Sequence, residues 1–337
     1  MSGTSYIVGM KSLSVLGLCS VVLCGVGAVI VVAQDEPIRV DVNLVSVLAS
    51  VRGKGGALIG NLQQGDFKIY EDGKEQQIKN FTRETDLPLT LGLLVDTSGS
   101  QERLVDTEQR AASQFFSKVL REKDQAFLIQ FGAEAELLQD LTNSPRLLQK
   151  GLQQLRLSVP VGGLHPGPVP TMQNQAGTIL YDAVYLAANE KLKREVGRKA
   201  IVLITDGVDT GSKISRDKSI EAAQKGDVMI YSIYYVDRAA YGGGGFGTIN
   251  MGGGGGEGDL RRMSSETGGQ VFHVDRGHSL DEIFREIQEE MRSQYAITYQ
   301  PPSPKRDGSY HKIDIKLANK DYKPQARKGY YAIEPEN

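Results

Sequence analysis

The alternation of apolar and polar positions divides the chain into three zones. In residues 37–87 the period is two. "IRVDVNLVSVLASV" sets Val40, Val42 and Leu44 on one parity. "DFKIYEDGKEQQIKNFTRE" reads as a hairpin whose turn, "EDGK", uses Asp72-Gly73 to supply positive φ. Residues 294–335 return to β in "SQYAITYQ", "SYHKIDIKLA" and "PQARKGYYAI", separated by turns that contain Pro and Gly. Short strands at both ends of the chain suggest that the two ends meet. They are expected to form one small β-sandwich into which the middle of the chain is inserted.

Residues 88–293 alternate strands with helical periods. "LPLTLGLLVD" and "RKAIVLITDG" are almost continuously apolar and stop at Asp96 and Asp206. "DQAFLIQFG", "AELLQDLT", "DVMIYSIYYVD" and "GQVFHVD" read as further strands. Residues 102–121 carry Leu104, Ala111, Phe115 and Val119 near helical spacing. "SPRLLQKGLQQL" opens with Ser144 as N-cap and Pro145 at the first helical position. "TILYDAVYLAANEKL", "ISRDKSIEAAQKG" (closed by Gly226) and a stretch near 259–267 are also helical. "SLDEIFREIQEEMRSQ" starts with a capping box, Ser279 with Glu282, and its stripe is Leu280, Ile283, Phe284, Ile287 and Met291. Strands apolar along their whole length need cover on both faces, and alternating helices supply it. The expected fold is α/β, a doubly wound and mostly parallel sheet.

The N-terminus changes the expected compartment. After Lys11, residues 12–33 are apolar or glycine apart from Ser12, Ser14 and Ser20, and end in Val31-x-Ala33. This describes a secretory signal peptide cut after Ala33, or alternatively an uncleaved N-terminal anchor. Either way the rest is expected to be exported: periplasmic, cell-surface or secreted. Cys19 and Cys24, the only cysteines, lie in this segment. A mature chain without cysteine has no disulfide, thiolate nucleophile or Cys-based zinc site. The formal net charge of −2, with 24% charged residues, gives no electrostatic reason to expect nucleic acid or an anionic membrane as partner. Membrane contact is expected only through residues 1–33 if they stay attached.

In such a sheet ligands sit beyond the carboxyl ends of the strands. Asp96 and Asp206 each stand where an apolar strand stops, so two carboxylates are expected side by side at that edge. Unpaired, they would repel and their pKa values would split. A divalent cation removes the conflict. Ser98 and Ser100, with Gly99 between them on a tight loop, can turn both hydroxyls toward one point. An all-oxygen set of hydroxyls and carboxylates suits a hard cation, Mg²⁺ (or Ca²⁺ or Mn²⁺), rather than zinc.

"VDTSGS", "AGTILYDAV" and "VLITDGVD", in that order, resemble the metal-ion-dependent adhesion site of von Willebrand factor type A domains. That site combines D-x-S-x-S at the end of the first strand, a Thr opening a later helix, and an Asp in "TDG". The resemblance covers about residues 88–293, and all five positions are present. It implies that Ser98, Ser100 and Thr178 are direct ligands and that Asp96 and Asp206 act largely through water and hydrogen bonds. One coordination position is then left for an Asp or Glu of a protein partner. The implied role is adhesion or binding, not catalysis. The flanking segments, with "DFKIYEDGKEQQI" and "RKGYYA", resemble bacterial exported proteins of the von Willebrand A-related acidobacterial type.

Other readings use the same residues. Asp96 could N-cap the following helix, Thr178 could cap the next, and the serines could be ordinary turn formers. A metal-free scaffold domain would keep the fold without the ion. "VDTSGS" and "GVDTGS" also resemble the D-T-G turn of aspartic proteases, with Asp96 and Asp209 as a dyad. Here, however, Ser98 replaces the glycine, and a β/α pattern replaces two β-lobes. His165, His273, His278 and His311 are scattered without metal spacing, and no G-x-S-x-G elbow appears. The Gly-rich stretch 242–258 lacks the Lys-Ser/Thr of a phosphate cradle. The stretch 159–177 leads directly into Thr178 and is expected to shape partner choice.

Overall fold

A computed structural model describes residues 44–84, 87–158, 177–236, 256–301 and 307–333. The N-terminal segment 1–33, with Val40 and Val42, lies outside the described residues, as do 159–176 and most of the Gly-rich stretch.

The first described stretch forms β1 (Val45–Arg52), β2 (Phe67–Glu71), β3 (Lys74–Gln76) and β4 (Ile78–Glu84). The middle begins with β5 (Leu89–Asp96), α1 (Val105–Val119), β6 (Gln125–Phe131), β7 (Ala135–Thr142) and α2 (Pro145–Leu152). It continues with α3 (Leu180–Leu186, prolonged by a π-helical turn at Ala187–Leu192), β8 (Arg198–Thr205), α4 (Arg216–Lys225) and β9 (Val228–Tyr234). It closes with α5 (Gly256–Thr267), β10 (Val271–His273) and α6 (Leu280–Arg292). The C-terminal segment forms β11 (Gln294–Tyr299), β12 (Tyr310–Leu317), β13 (Lys323–Ala326) and β14 (Gly329–Tyr331).

The central sheet has the order β10-β9-β8-β5-β6-β7. Its strands are parallel except for the edge strand β7, which runs antiparallel to β6. All eight residues of β5 are buried, as the unbroken apolar run requires. On one face α1, α2 and α6 contribute Phe115, Phe116, Leu148, Ile283, Phe284 and Ile287. On the other, α3, α4 and α5 contribute Leu180, Val184, Ile220, Leu260 and Met263. The Ser279–Glu282 capping box of α6 is formed in both directions. The chain leaves β5 toward β6 and β7, then crosses to β8, β9 and β10 on the other side. The junction of β5 and β8 is therefore the topological switch point, where a crevice opens beyond the carboxyl ends of the strands.

The two ends of the chain do meet. One four-stranded sheet has the order β13-β1-β11-β4, and the other β14-β12-β2-β3. Their inner faces share Val47, Phe67, Ile69, Tyr295, Ile297 and Ile313. The β2–β3 turn has Asp72 at φ 47° and Gly73 at φ 81°, the conformation expected of an Asp-Gly hairpin. The sandwich core takes the odd parity, Val45, Val47, Ala49 and Val51, whereas Leu44 is 46% exposed. The even positions of β1 are Ser46, Leu48, Ser50 and Arg52, of which Leu48 alone is apolar. Leu48, on the even side, packs against the core of the α/β domain.

A buried ionic joint ties the two parts. Helix α6 passes into β11 through Ser293 alone. Its Glu290 carboxylate, fully buried, accepts hydrogen bonds from Arg52 Nη2 (2.5 Å), Gln270 Nε2 (2.9 Å) and Ser50 Oγ (3.1 Å). Arg198, also buried, donates to the Met291 and Leu87 carbonyls. Among the described residues no helix is long and apolar enough to cross a membrane.

Candidate metal centre

The strand registry places the first acidic residue. Val95 pairs with Ile204 and Asp96 with Phe131, so Asp96 ends β5 at the level of the β8 terminus. Thr205, the last residue of β8, donates from Oγ1 to Asp96 Oδ2 at 2.5 Å. The Ser98 amide donates to Asp96 Oδ1 at 2.9 Å, closing the loop after the strand on itself. Asp206 follows Thr205 directly and is fixed by the Val208 amide at Oδ1 (3.0 Å). Gly207 then turns with φ +79°, and a Cβ there would lie 2.5 Å from the Gly256 backbone. This close approach brings the start of α5 against the Asp206–Gly207 backbone and requires glycine.

The hydroxyls stand between the two carboxylates. Ser98 Oγ and Ser100 Oγ are 3.0 Å apart, and Ser100 Oγ donates to Asp206 Oδ2 at 2.6 Å. Both serines are half-buried, and Gly99 between them is exposed. Thr178 arrives from a third loop. The Ile179 amide donates to the Gly132 carbonyl (2.9 Å) at the end of β6. Gly132 in turn packs beside Ser98, with an added Cβ falling 3.6 Å from the Ser98 nitrogen. Thr210 fastens the same loop: its Oγ1 accepts from the Thr178 amide (2.9 Å), and its own amide donates to the Thr178 carbonyl (3.0 Å).

The donor set fits a hard divalent cation. Two oxygens about 2.1 Å from one ion in neighbouring octahedral positions lie about 3.0 Å apart. The Ser98 and Ser100 hydroxyls already have that 3.0 Å separation. Carboxylate oxygens back both hydroxyls, and Asp96 and Asp206 are almost wholly buried, which favours a compensating positive charge. Burial pushes the Asp96 carboxyl up to about 6, against the hydrogen bonds from Thr205 and Ser98 that favour its charged form. The Asp206 charge adds to the rise.

The capping alternative does not describe these residues. Helix α1 begins at Val105 behind Leu104, and α3 begins at Leu180 behind Ile179, so neither Asp96 nor Thr178 is an N-cap. Nor are Asp96 and Asp209 joined as a dyad. Asp209 accepts from Ser212 Oγ (2.5 Å) and from the Tyr181 amide (3.3 Å), which anchors the start of α3.

Sequence reasoning missed three participants. Thr205 orients Asp96, and its only signal was its place before Asp206 in "LITDG". Thr210 holds the Thr178 loop from the far side of "DGVDT". Glu108 sits fully buried on the inner face of α1, where the helical stripe calls for an apolar residue. Neither of its carboxylate oxygens has a hydrogen-bond partner among the described residues. Burial, with the charge of Asp96 behind it, raises its carboxyl well above the ordinary range.

A family model for the von Willebrand factor type A domain matches residues 91–286, more than half of the chain. No curated protein matches the chain. Among solved structures, the chain is similar to an aerotolerance-related membrane protein from Bacteroides fragilis at 17% identity and TM-score 0.43, over 60% of this chain and 98% of that one. BatB from Bacteroides thetaiotaomicron is 18% identical at TM-score 0.42, over 60% of this chain and 97% of its own. Proximal thread matrix protein 1 from the mussel byssus, in a structure with a zinc-occupied MIDAS motif, is 15% identical at TM-score 0.46, over 66% of this chain and 50% of its own.

Proposed function

Because the chain belongs to the von Willebrand factor type A family, we propose that it is an exported, divalent-metal-dependent binding module that captures an acidic group of a protein partner. Domains of this family generally mediate protein interactions. We assign Ser98, Ser100 and Thr178 as direct ligands of Mg²⁺, with Ca²⁺ or Mn²⁺ as alternatives, and Asp96 and Asp206 as supporting carboxylates. A bound cation would neutralise the buried carboxylates and offer an open position to an Asp or Glu of the partner.

The observation that carries this reading is the continuous chain of oxygens from Ser98 through Ser100 to Asp206, at 3.0 and 2.6 Å, at the switch point of the sheet. Each protein group has a definable task. Thr205 and the Ser98 amide fix the two Asp96 oxygens in different directions. Asp206 accepts the Ser100 proton and so aims that hydroxyl's lone pairs away from itself. The Gly132 and Thr210 contacts set the depth of Thr178. These roles are positional and electrostatic, and none of them is that of a nucleophile or general base. We therefore read the module as a binder rather than an enzyme. Residues 1–33 fit export to the periplasm or cell surface, and the flanking sandwich fits the acidobacterial exported type.

The test is capture from the envelope of the native organism with the full chain as bait. Wild type in Mg²⁺ should retain a partner that EDTA releases and that the Asp206→Ala variant does not retain. Capture indifferent to both changes would instead establish a metal-free scaffold.

A further inference from the structure

The sandwich carries a second cluster of metal-ligating side chains, none of them shared with the first site. Glu71 ends β2, Asp72 opens the hairpin turn, and His311 lies on the paired strand β12. One ligand atom from each of Glu71, Asp72 and His311 lies within 4.8 Å of the other two. His311 Nδ1 is 2.8 Å from Asp72 Oδ2 and 3.7 Å from Glu71 Oε1.

Each of the three side chains has its far atom held by a group outside the cluster. Glu71 Oε2 accepts from Tyr299 Oη (2.6 Å) and Tyr330 Oη (3.1 Å). Asp72 Oδ1 accepts the Lys312 amide at 2.9 Å. His311 Nε2 is 3.0 Å from Ser309 Oγ, so a proton on Nε2 leaves the Nδ1 lone pair facing the carboxylates. Partners of this kind, on the outer atoms, orient and tune metal-bound imidazole and carboxylate. The inner atom of Glu71 is the telling one. This side chain is only 3% exposed, and its Oε1 lies 3.7 Å from His311 Nδ1, beyond hydrogen-bonding distance. A carboxylate on a buried side chain is costly unless something positive meets it.

We propose that Glu71, Asp72 and His311 bind a divalent transition metal, with zinc the best fit, clipping the β2–β3 hairpin to β12. An imidazole nitrogen with two carboxylate oxygens is a zinc-type donor set, unlike the all-oxygen set at Ser98 and Ser100. Two ligands about 2.0–2.1 Å from a tetrahedral ion stand about 3.4 Å apart, and the observed 2.8 and 3.7 Å bracket that spacing. Asp72 is half-exposed, which leaves an entry route and a fourth position for water. The clip joins residues 239 apart in a chain whose only cysteines precede residue 34, so it does for the sandwich what a disulfide cannot.

The experiment is zinc calorimetry on the full chain at neutral pH, in an Asp96→Ala background that disables the first site. One zinc should bind there. Adding His311→Gln or, separately, the surface change Asp72→Asn should weaken it about tenfold or more. Made alone in the wild-type chain, His311→Gln and Asp72→Asn should each keep the Mg²⁺ response of the first site, which separates failure here from failure of the proposed function. The absence of zinc binding in the Asp96→Ala protein would overturn the proposal and leave His311 as a plain counter-ion of the two carboxylates. Zinc binding that survives both added changes would overturn it equally.

Discussion

Replacing Glu108 by leucine should make the protein more stable, and increasingly so as pH rises. The side chain is fully buried on α1, one turn before Ala111 and Ala112 and two before Phe115, in the layer that packs on the central sheet. Both of its oxygens lack partners among the described residues. Even as a neutral acid, a buried polar group left unpaired costs about 1–3 kcal/mol. Leucine is similar in length and removes that cost. The pH dependence has a definite sign. Burial, then the Asp96 charge, raises the Glu108 carboxyl well above its ordinary value of 4.5, so the folded protein holds the proton more tightly than the unfolded chain does. Stability tied to that proton is fully present below the unfolded value and is lost as pH rises through the folded one, at up to about 1.4 kcal/mol per pH unit. Urea midpoints at pH 4.5, 6 and 8 read this directly. The variant should gain about 1–3 kcal/mol near pH 4.5, or roughly 2–4 °C in melting temperature per kcal/mol, and more at pH 8. A variant that is no more stable at any pH, or whose advantage shrinks on going to pH 8, would refute the reasoning.

Three further predictions concern the site and its supports. Gly207→Ala forces a side chain into φ +79° and 2.5 Å from the Gly256 backbone; it should cost at least about 1–2 kcal/mol and weaken Mg²⁺ binding by displacing Asp206, and a neutral result in melting and titration would contradict the packing described. Because burial pushes Asp96 up to about 6, protons should compete with the metal: Mg²⁺ affinity should fall about tenfold from pH 7 to pH 5 by calorimetry, and a flat profile would count against the site. Without metal the same shift has the opposite consequence, since stability linked to the Asp96 proton is present below 3.8 and lost as pH rises through about 6. Arg52→Met should cost about 3–5 kcal/mol in urea unfolding, because it leaves the buried Glu290 carboxylate short of its charged partner; a cost below about 1 kcal/mol would show that Ser50 and Gln270 suffice.

Much of the fold was legible because its elements obey strong local rules. The unbroken apolar runs of β5 and β8 demanded cover on both faces, and the Ser279–Glu282 box announced α6. The hairpin at Asp72-Gly73 followed from the only residues that take its backbone conformation cheaply. The parity of β1 was not legible from the first apolar positions, because the apolar phase changes at Leu44-Val45, from Val40, Val42 and Leu44 to Val45, Val47, Ala49 and Val51, which face the sandwich core. At the candidate site, Asp96, Ser98, Ser100 and Asp206 could be placed at the sheet edge from where the strands stop. Their orientation could not, because it depends on Thr205 and on backbone amides that carry no signature. The cluster at His311 escaped notice for a different reason. Metal spacing is read from neighbours in sequence, and Asp72 and His311 meet only through the pairing of β2 with β12.

The central claim is that side chains from three loops enclose one hard cation. Crystals soaked in Mn²⁺ and measured for anomalous scattering test it most directly. A single peak at the sheet edge, about 2.0–2.2 Å from the hydroxyls of Ser98, Ser100 and Thr178, is the predicted result. An empty edge, with Ser100 still donating to Asp206 and Thr178 turned away, would contradict it.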